Sequence, residues 1–184
     1  NAPILVKFGN SKHQGFKQMI TLEQAWQAVH LVPDPEIPVI SVTDLGIVRE
    51  IQIKGEVVHI ALTPTYSGCP ATQEIQRDVE KALLAAGASS VEMELRLSPA
   101  WTTDWINPEA KEKLKRYGMA TPSKCSSPAA EQVIRFVPTL KENLNCPLCN
   151  SNKTERISEF GSTACKALYR CLSCREPFEF FKPI

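Results

Sequence analysis

Apolar positions along this chain follow two spacings, and the switches between them outline its elements. Leu22, Ala25, Trp26 and Val29 recur at helical spacing behind Thr21-Leu22-Glu23-Gln24, a capping-box pattern, and predict a helix starting at Thr21. Pro33, Pro35 and Pro38 must stop it near Val32. Ile47 to Ile53 and Val57 to Leu62 then alternate on either side of Lys54-Gly55, which predicts a hairpin. In the return strand Val58, Ile60 and Leu62 form the more apolar face, opposite Val57, His59 and Ala61. A loop from Thr63 to Gly68 leads to Cys69-Pro70. Pro70 suits the first position of a helix, and Ile75, Val79, Ala82, Leu83 and Ala86 carry the helical period to a stop at Gly87. Val91, Met93, Leu95 and Leu97 alternate with Glu92, Glu94 and Arg96 and predict a third strand with one wet face. Asn107-Pro108-Glu109 opens a short charged helix that ends near Gly118.

The order α-β-β-α-β-α predicts an α+β domain over residues 20–119, a small three-stranded sheet with helices packed on one face. Residues 1–19 have no clear period and read as a flexible arm, with Asn1-Ala2 as a possible tag scar. From Ala120 to about Ala130 the composition shifts to Pro, Ser and Ala, so a linker is expected over 120–142. Residues 143–184 then form a second unit around two Cys-x-x-Cys knuckles.

Those knuckles are Cys146-Pro147-Leu148-Cys149 and Cys171-Leu172-Ser173-Cys174. Each turn brings two thiolates within reach of one ion, and two turns complete a tetrahedron. The expected occupant is structural Zn²⁺ in a zinc ribbon; an iron or Fe–S centre is the alternative, since a thiolate set alone does not tell the metals apart. The bland reading is four buried thiols. So small a unit cannot bury enough core by itself, and the metal would supply much of its folding free energy. Cys165, six residues before Cys171, is a fifth thiol here, either free beside the ribbon or an exchanging ligand.

With 184 residues, 43% hydrophobic and 22% charged, the chain has a globular composition. A net charge of +1 gives no basic footprint for nucleic acid, and no apolar run is long enough to span a membrane. Seven cysteines, four of them at metal spacing, fit a reducing cytoplasm better than a disulfide framework.

Cys69 stands between Gly68 and Pro70 at the expected start of a helix, where unpaired N–H groups favour a thiolate. The competing reading is a small buried residue at a helix cap. No histidine stands beside it, and His13, His30 and His59 lie in unrelated contexts. A second candidate is Pro33-Asp34-Pro35-Glu36-Ile37-Pro38, whose prolines would present Asp34 and Glu36 at low entropic cost. Such carboxylates are also common as turn and capping groups, and Asp44-Leu45-Gly46 carries another.

These pieces occur in a known order. Asp34-Pro35-Glu36-Ile37-Pro38, Asp44-Leu45-Gly46-Ile47-Val48 and Thr63-Pro64-Thr65-Tyr66-Ser67-Gly68-Cys69-Pro70 resemble the SufT-like family of iron–sulfur assembly factors, and Ser98 to Trp105 looks like its closing motif. The stretch from Glu159 to Cys171, with the ribbon and the Phe-rich tail, is similar to the PaaD branch, the D proteins of the bacterial phenylacetyl-CoA epoxidase system of phenylacetate degradation. The resemblance covers about residues 20–184. It implies a SufT-like domain joined to a zinc ribbon, with Cys69 as the candidate for iron or Fe–S handling. It also implies that Cys165 is a regular part of the PaaD tail.

Three functions follow for comparison. The first is an accessory factor that binds iron or a labile cluster transiently at Cys69, beside Asp34 and Glu36, for a client among the epoxidase components. One thiolate per chain is too few to hold a cluster, so a homodimer or a client ligand would complete the site. The second is a scaffold component of the epoxidase complex in which Cys69 is dispensable. The third is a thiol redox enzyme using Cys69 as nucleophile. The chain carries no carboxylate and histidine set such as Glu-x-x-His on paired helices, which a di-iron oxygenase needs, and no Gly-rich nucleotide fingerprint.

Overall fold

The first helix starts at a reciprocal cap. Thr21 Oγ1 accepts from the Gln24 N–H at 3.2 Å, and Gln24 Oε1 accepts from the Thr21 N–H at 2.9 Å, so α1 runs over Leu22–His30. The computed structural model describes residues 19–122 and 144–182. Nearly all of the expected arm and linker, and Cys125, lie outside the described residues.

β1 (Val48–Lys54) and β2 (Val57–Leu62) form the antiparallel hairpin, with Ile51 opposite Ile60 and Gly55 turning at φ 63°. α2 (Thr72–Ala85) crosses back, and β3 (Ser90–Leu95) pairs parallel to β2, with Val58 opposite Val91. The result is a three-stranded sheet in the order β1-β2-β3, followed by α3 (Pro108–Arg116), whose N-cap Asn107 accepts from the Ala110 N–H at 2.6 Å. This is the α+β architecture that the periods predict. Ala25 and Val29 of α1 and Ile75, Val79 and Leu83 of α2 share one core with Ile51, Val58 and Ile60 of the sheet.

Three details differ from expectation. Leu22 and Trp26 stay substantially exposed, because α1 buries only the narrower stripe of Ala25 and Val29. Pro70 is not the first helical residue; the chain makes a turn through Cys69, Ala71 is the N-cap and Thr72 begins α2. Leu95 and Leu97, expected on the buried face of the third strand, are exposed, because β3 is an edge and its C-terminal end is left uncovered.

The second sheet contains β4 (Met119–Ala120), β5 (Thr154–Ser158), β6 (Lys166–Cys171) and β7 (Pro177–Phe181), in the order β4-β7-β6-β5. β4 follows α3 directly and pairs parallel to β7, so the ribbon sheet takes a strand from the end of the segment that carries the first sheet and its helices. Tyr169 stacks on Phe178 at 5.9 Å and meets the edge of Phe180 at 5.7 Å, in a small core that also holds Ala120, Leu144, Cys146 and Cys171.

The two halves interlock. Cys165 and Phe181, both from the ribbon, belong to the first core and not to the ribbon's own. Phe181 lies 5.6 Å from the Trp101 ring, and Trp101 Nε1 donates to the Leu45 carbonyl at 2.9 Å. Burying one such aromatic ring is worth roughly 1.5–3 kcal/mol. Gly46 permits the close approach of the neighbouring segment. It sits at φ 71°, and a Cβ there would fall 2.7 Å from the Trp105 Cβ.

Candidate functional site

The ribbon knuckles bring four sulfurs together. One ligand atom from each of Cys146, Cys149, Cys171 and Cys174 lies within 4.8 Å of the others. The Cys146–Cys174 and Cys149–Cys171 sulfurs are 3.8 and 3.5 Å apart. A tetrahedron with ion–sulfur bonds of about 2.3 Å has edges of about 3.8 Å, so the set fits a single ion of that kind. Each knuckle ends on a residue in the left-handed region, Asn150 at φ 59° and Arg175 at φ 68°. The backbone N–H groups of Ser173 and Cys174 donate to the Cys171 sulfur at 3.4 and 3.5 Å. The Cys174 N–H, with that of Ser173 and the neighbouring thiols, brings the Cys171 thiol down to about 6. Cys174 has the Glu176 N–H as a donor, but burial and its three thiol neighbours outweigh it and push Cys174 up to about 12. Four crowded thiols cannot all ionise at once without a cation among them.

The second site is where the two halves meet. Asp34, Glu36, Thr65, Cys69, Cys165 and Phe181 line one cavity of about 20 Å³. Asp34 comes from the proline-rich segment after α1, and its conformation explains why those residues turn there. Asp34 Oδ1 accepts from the N–H groups of Glu36 at 2.9 Å and Ile37 at 2.8 Å, while the Asp34 N–H donates to Ile40 O at 2.9 Å. Asp34 is 6% exposed, and burial pushes its carboxyl up, against the pull of those two N–H groups and the nearby Lys166 ammonium. Glu36 is half-buried. Cys69 is half-buried in its turn, where its N–H donates to Tyr66 O at 3.1 Å and its carbonyl accepts from Thr72 at 3.2 Å. Cys69 therefore precedes the helix by a full turn of chain.

Cys165 stands apart from the four ribbon thiols. It is 7% exposed, and its sulfur is 3.1 Å from Thr163 Oγ1. Burial pushes the Cys165 thiol up, with Thr163 and the Lys166 ammonium opposing. Lys166 is 2% exposed and donates to Ser162 Oγ at 2.9 Å, with Glu179 Oε2 at 3.5 Å. Glu179 Oε1 accepts from the Ser162 N–H at 2.7 Å. This small ionic cluster anchors the loop that delivers Cys165. Gly161 is part of it, since a Cβ there would lie 2.8 Å from Glu179 Oε1 and 3.1 Å from Lys166 Cβ.

The structure thus brings Cys69, Asp34 and Glu36 to one cavity, and Cys146, Cys149, Cys171 and Cys174 to another place. It adds Cys165 to the first group and not to the second. Lys166, Glu179 and Phe181 escape sequence reasoning. Alternation in β6 and β7 says which side chains share a face but not what that face meets. Asp44 takes a framework role. Its carboxylate receives Lys113 Nζ at 3.0 Å, Asn107 Nδ2 at 2.7 Å and the Ser41 N–H at 3.2 Å, tying α3 to the turn before β1. His30 Nδ1 is 2.8 Å from Thr43 Oγ1, and His59 Nδ1 is 3.1 Å from Glu92 Oε2; neither faces the cavity.

Comparison with known proteins gives the chain two family matches. Residues 22–95 match the model described as an iron-sulfur cluster assembly protein, and residues 130–182 match the PaaD zinc beta ribbon domain. A protein of Escherichia coli (strain K12), described as the D component of the 1,2-phenylacetyl-CoA epoxidase, is 48% identical over 163 residues, which is 89% of this chain and 93% of that protein. Among solved structures, a DUF59 domain of unknown function from Bacillus anthracis is 25% identical, with a TM-score of 0.47, over 50% of this chain and 89% of its own. A conserved hypothetical protein from Thermotoga maritima is 35% identical, with a TM-score of 0.46, over 52% of this chain and 95% of its own. Among the described residues, no helix is long and apolar enough to cross a membrane.

Proposed function

We propose a function from the premise of kinship: this chain belongs to the family of the PaaD proteins, described as the D components of 1,2-phenylacetyl-CoA epoxidase, in which an iron-sulfur cluster assembly domain is joined to a zinc ribbon. Its role in that system is accessory. The chain acts in the cytoplasm as a maturation factor that receives iron, or a labile cluster, at Cys69 and passes it to a client among the other epoxidase components. Iron is here the cargo. The ribbon holds a resident Zn²⁺ through Cys146, Cys149, Cys171 and Cys174, and that ion supplies folding free energy to a unit too small to be stable alone.

One observation carries this reading. The sole thiol of the assembly domain shares a cavity with Asp34 and Glu36, and the cavity is about 20 Å³ in volume. Pockets that enclose organic ligands run to about 300–1,000 Å³, whereas a site of this size takes a water or a single ion. Thiolate and carboxylate together suit a borderline transition metal. Should a whole cluster be the cargo, a second copy of the chain or the client would have to complete its ligands.

The test is to make the epoxidase components together with a Cys69→Ser variant. Client activity should be lost while the variant keeps its fold and one zinc per chain. A fully active epoxidase made with that variant would sink the proposal.

A scaffold role is the second reading, and the surface of α1 favours it. Leu22, Trp26 and Leu31 are exposed there, and a shallow depression of about 410 Å³ runs past Trp26, Gln27, His30, Leu31 and Thr43. Co-purification of Cys69→Ser with a fully active complex is what that reading expects.

A further inference from the structure

We propose that Cys165, delivered by the ribbon, is a second thiolate ligand beside Cys69 for a single transition-metal ion of the ferrous class, with Asp34 as the carboxylate of the same site. This rests on the reading of the cavity just given and goes beyond it, because it assigns a residue of the ribbon to the cargo. The ribbon would then be part of the site and more than a module attached to it.

Three independent observations converge. The first is placement. Four sulfurs already complete the ribbon's own set, and Cys165 is not among them. It sits instead in the core of the assembly domain and lines the cavity with Cys69. The loop that carries it is held by the Lys166–Glu179–Ser162 cluster and by a Lys182 N–H bond to the Cys165 carbonyl at 2.9 Å.

The second is the carboxylate beside the two thiols. Asp34 is more than nine-tenths buried and lines the same cavity. The N–H groups of Glu36 and Ile37 both go to Oδ1 and hold the carboxyl in place there.

The third is size and softness. A volume of about 20 Å³ admits one ion. Two sulfurs exclude the hard ions Mg²⁺ and Ca²⁺ and select from the ferrous-to-zinc series. Among the described residues only the ribbon thiols form a ready set of three or more within 4.8 Å, so side chains of the cavity must rotate inward for an ion to be held.

The experiment uses the full chain with its ribbon zinc loaded and verified by elemental analysis. Co²⁺ is titrated in without oxygen, and the thiolate-to-cobalt charge-transfer absorption is read. Wild type should take up one Co²⁺ per chain beyond the zinc. Cys69→Ser and Cys165→Ser should each leave about half of the absorption and bind about tenfold more weakly or worse, as loss of a ligand requires. Asp34→Asn should keep the absorption and lose affinity. X-ray absorption on cobalt-loaded wild type needs no variant and should count two sulfurs on the second ion. If Cys165→Ser keeps the full absorption while Cys69→Ser loses it, or if one sulfur is counted, Cys165 is not a ligand and the reading of Cys69 stands. If wild type takes up no cobalt beyond the zinc, the cavity binds no such ion, the two-thiolate site falls, and only cluster transfer at Cys69 is left for the epoxidase test with Cys69→Ser to decide.

Discussion

Asp34 and Asp44 are ten residues apart, both almost fully buried, and opposite in consequence. Burial pushes Asp44 up, but Lys113, Asn107 and the Ser41 N–H outweigh it and leave its carboxyl below the ordinary 3.8. Its contribution to stability is present above that value and is lost as pH falls through the lowered one. Asp44→Asn should therefore cost about 2–3 kcal/mol near neutrality, and the difference from wild type should shrink below about pH 3.8 in urea unfolding. Burial dominates at Asp34 and raises its carboxyl. Any stability it adds is present below pH 3.8, with the carboxyl protonated, and is lost as pH rises through the raised value. Near neutrality the charge is a cost, and an amide oxygen can still accept both N–H bonds. Asp34→Asn should then be as stable as wild type or more so at pH 7. A loss resembling that of Asp44→Asn would show that the charge itself holds the turn. Nothing in the sequence separates the two residues, because each stands in a short turn segment and their partners lie far along the chain or in the backbone.

Among the elements, what could be read from the chain was what is local. The capping box at Thr21 and Gln24, the alternation of β2 and the period of α2 each depend on neighbours within a few residues, and all three appear in the structure. The turn that moves the start of α2 past Pro70 was not legible, because proline suits both a turn and a first helical position. Nor was the exposure of Leu95 and Leu97, which depends on what covers the sheet edge. Pairing of β4 with β7 joins residues 119–120 to 179–180, a contact no period reveals. The same holds for Phe181 against Trp101. Phe181→Ala should cost about 3–5 kcal/mol. It should also raise the alkylation rate of Cys165, because the ring closes the same cavity; an unchanged rate would mean that the loop holds Cys165 by itself.

The molecule as a whole couples a metal-built ribbon to a domain built on apolar packing. Stripping the ribbon with a chelator should melt β5–β7, read as loss of amide protection. Because Cys165 and Phe181 belong to the first core, both cavity thiols should become alkylated in the same chelator range, while β1 and β2 stay protected. Cys165 remaining shielded after the ribbon has melted would show that the halves fold apart.

The interlock also imposes a schedule. The assembly domain's strands, its helices and Cys69 leave the ribosome well before the ribbon, and the cavity is finished only when Cys165 and Phe181 follow. About 110 residues separate Cys69 from Phe181, a delay of roughly 5–20 s at ordinary synthesis rates. Through that interval the cavity lacks one wall, and Trp101, once made, lacks the ring that covers it. A nascent chain therefore exposes its half-built cavity to the cell before it can close it, and the cavity is walled only after translation has passed the last strand.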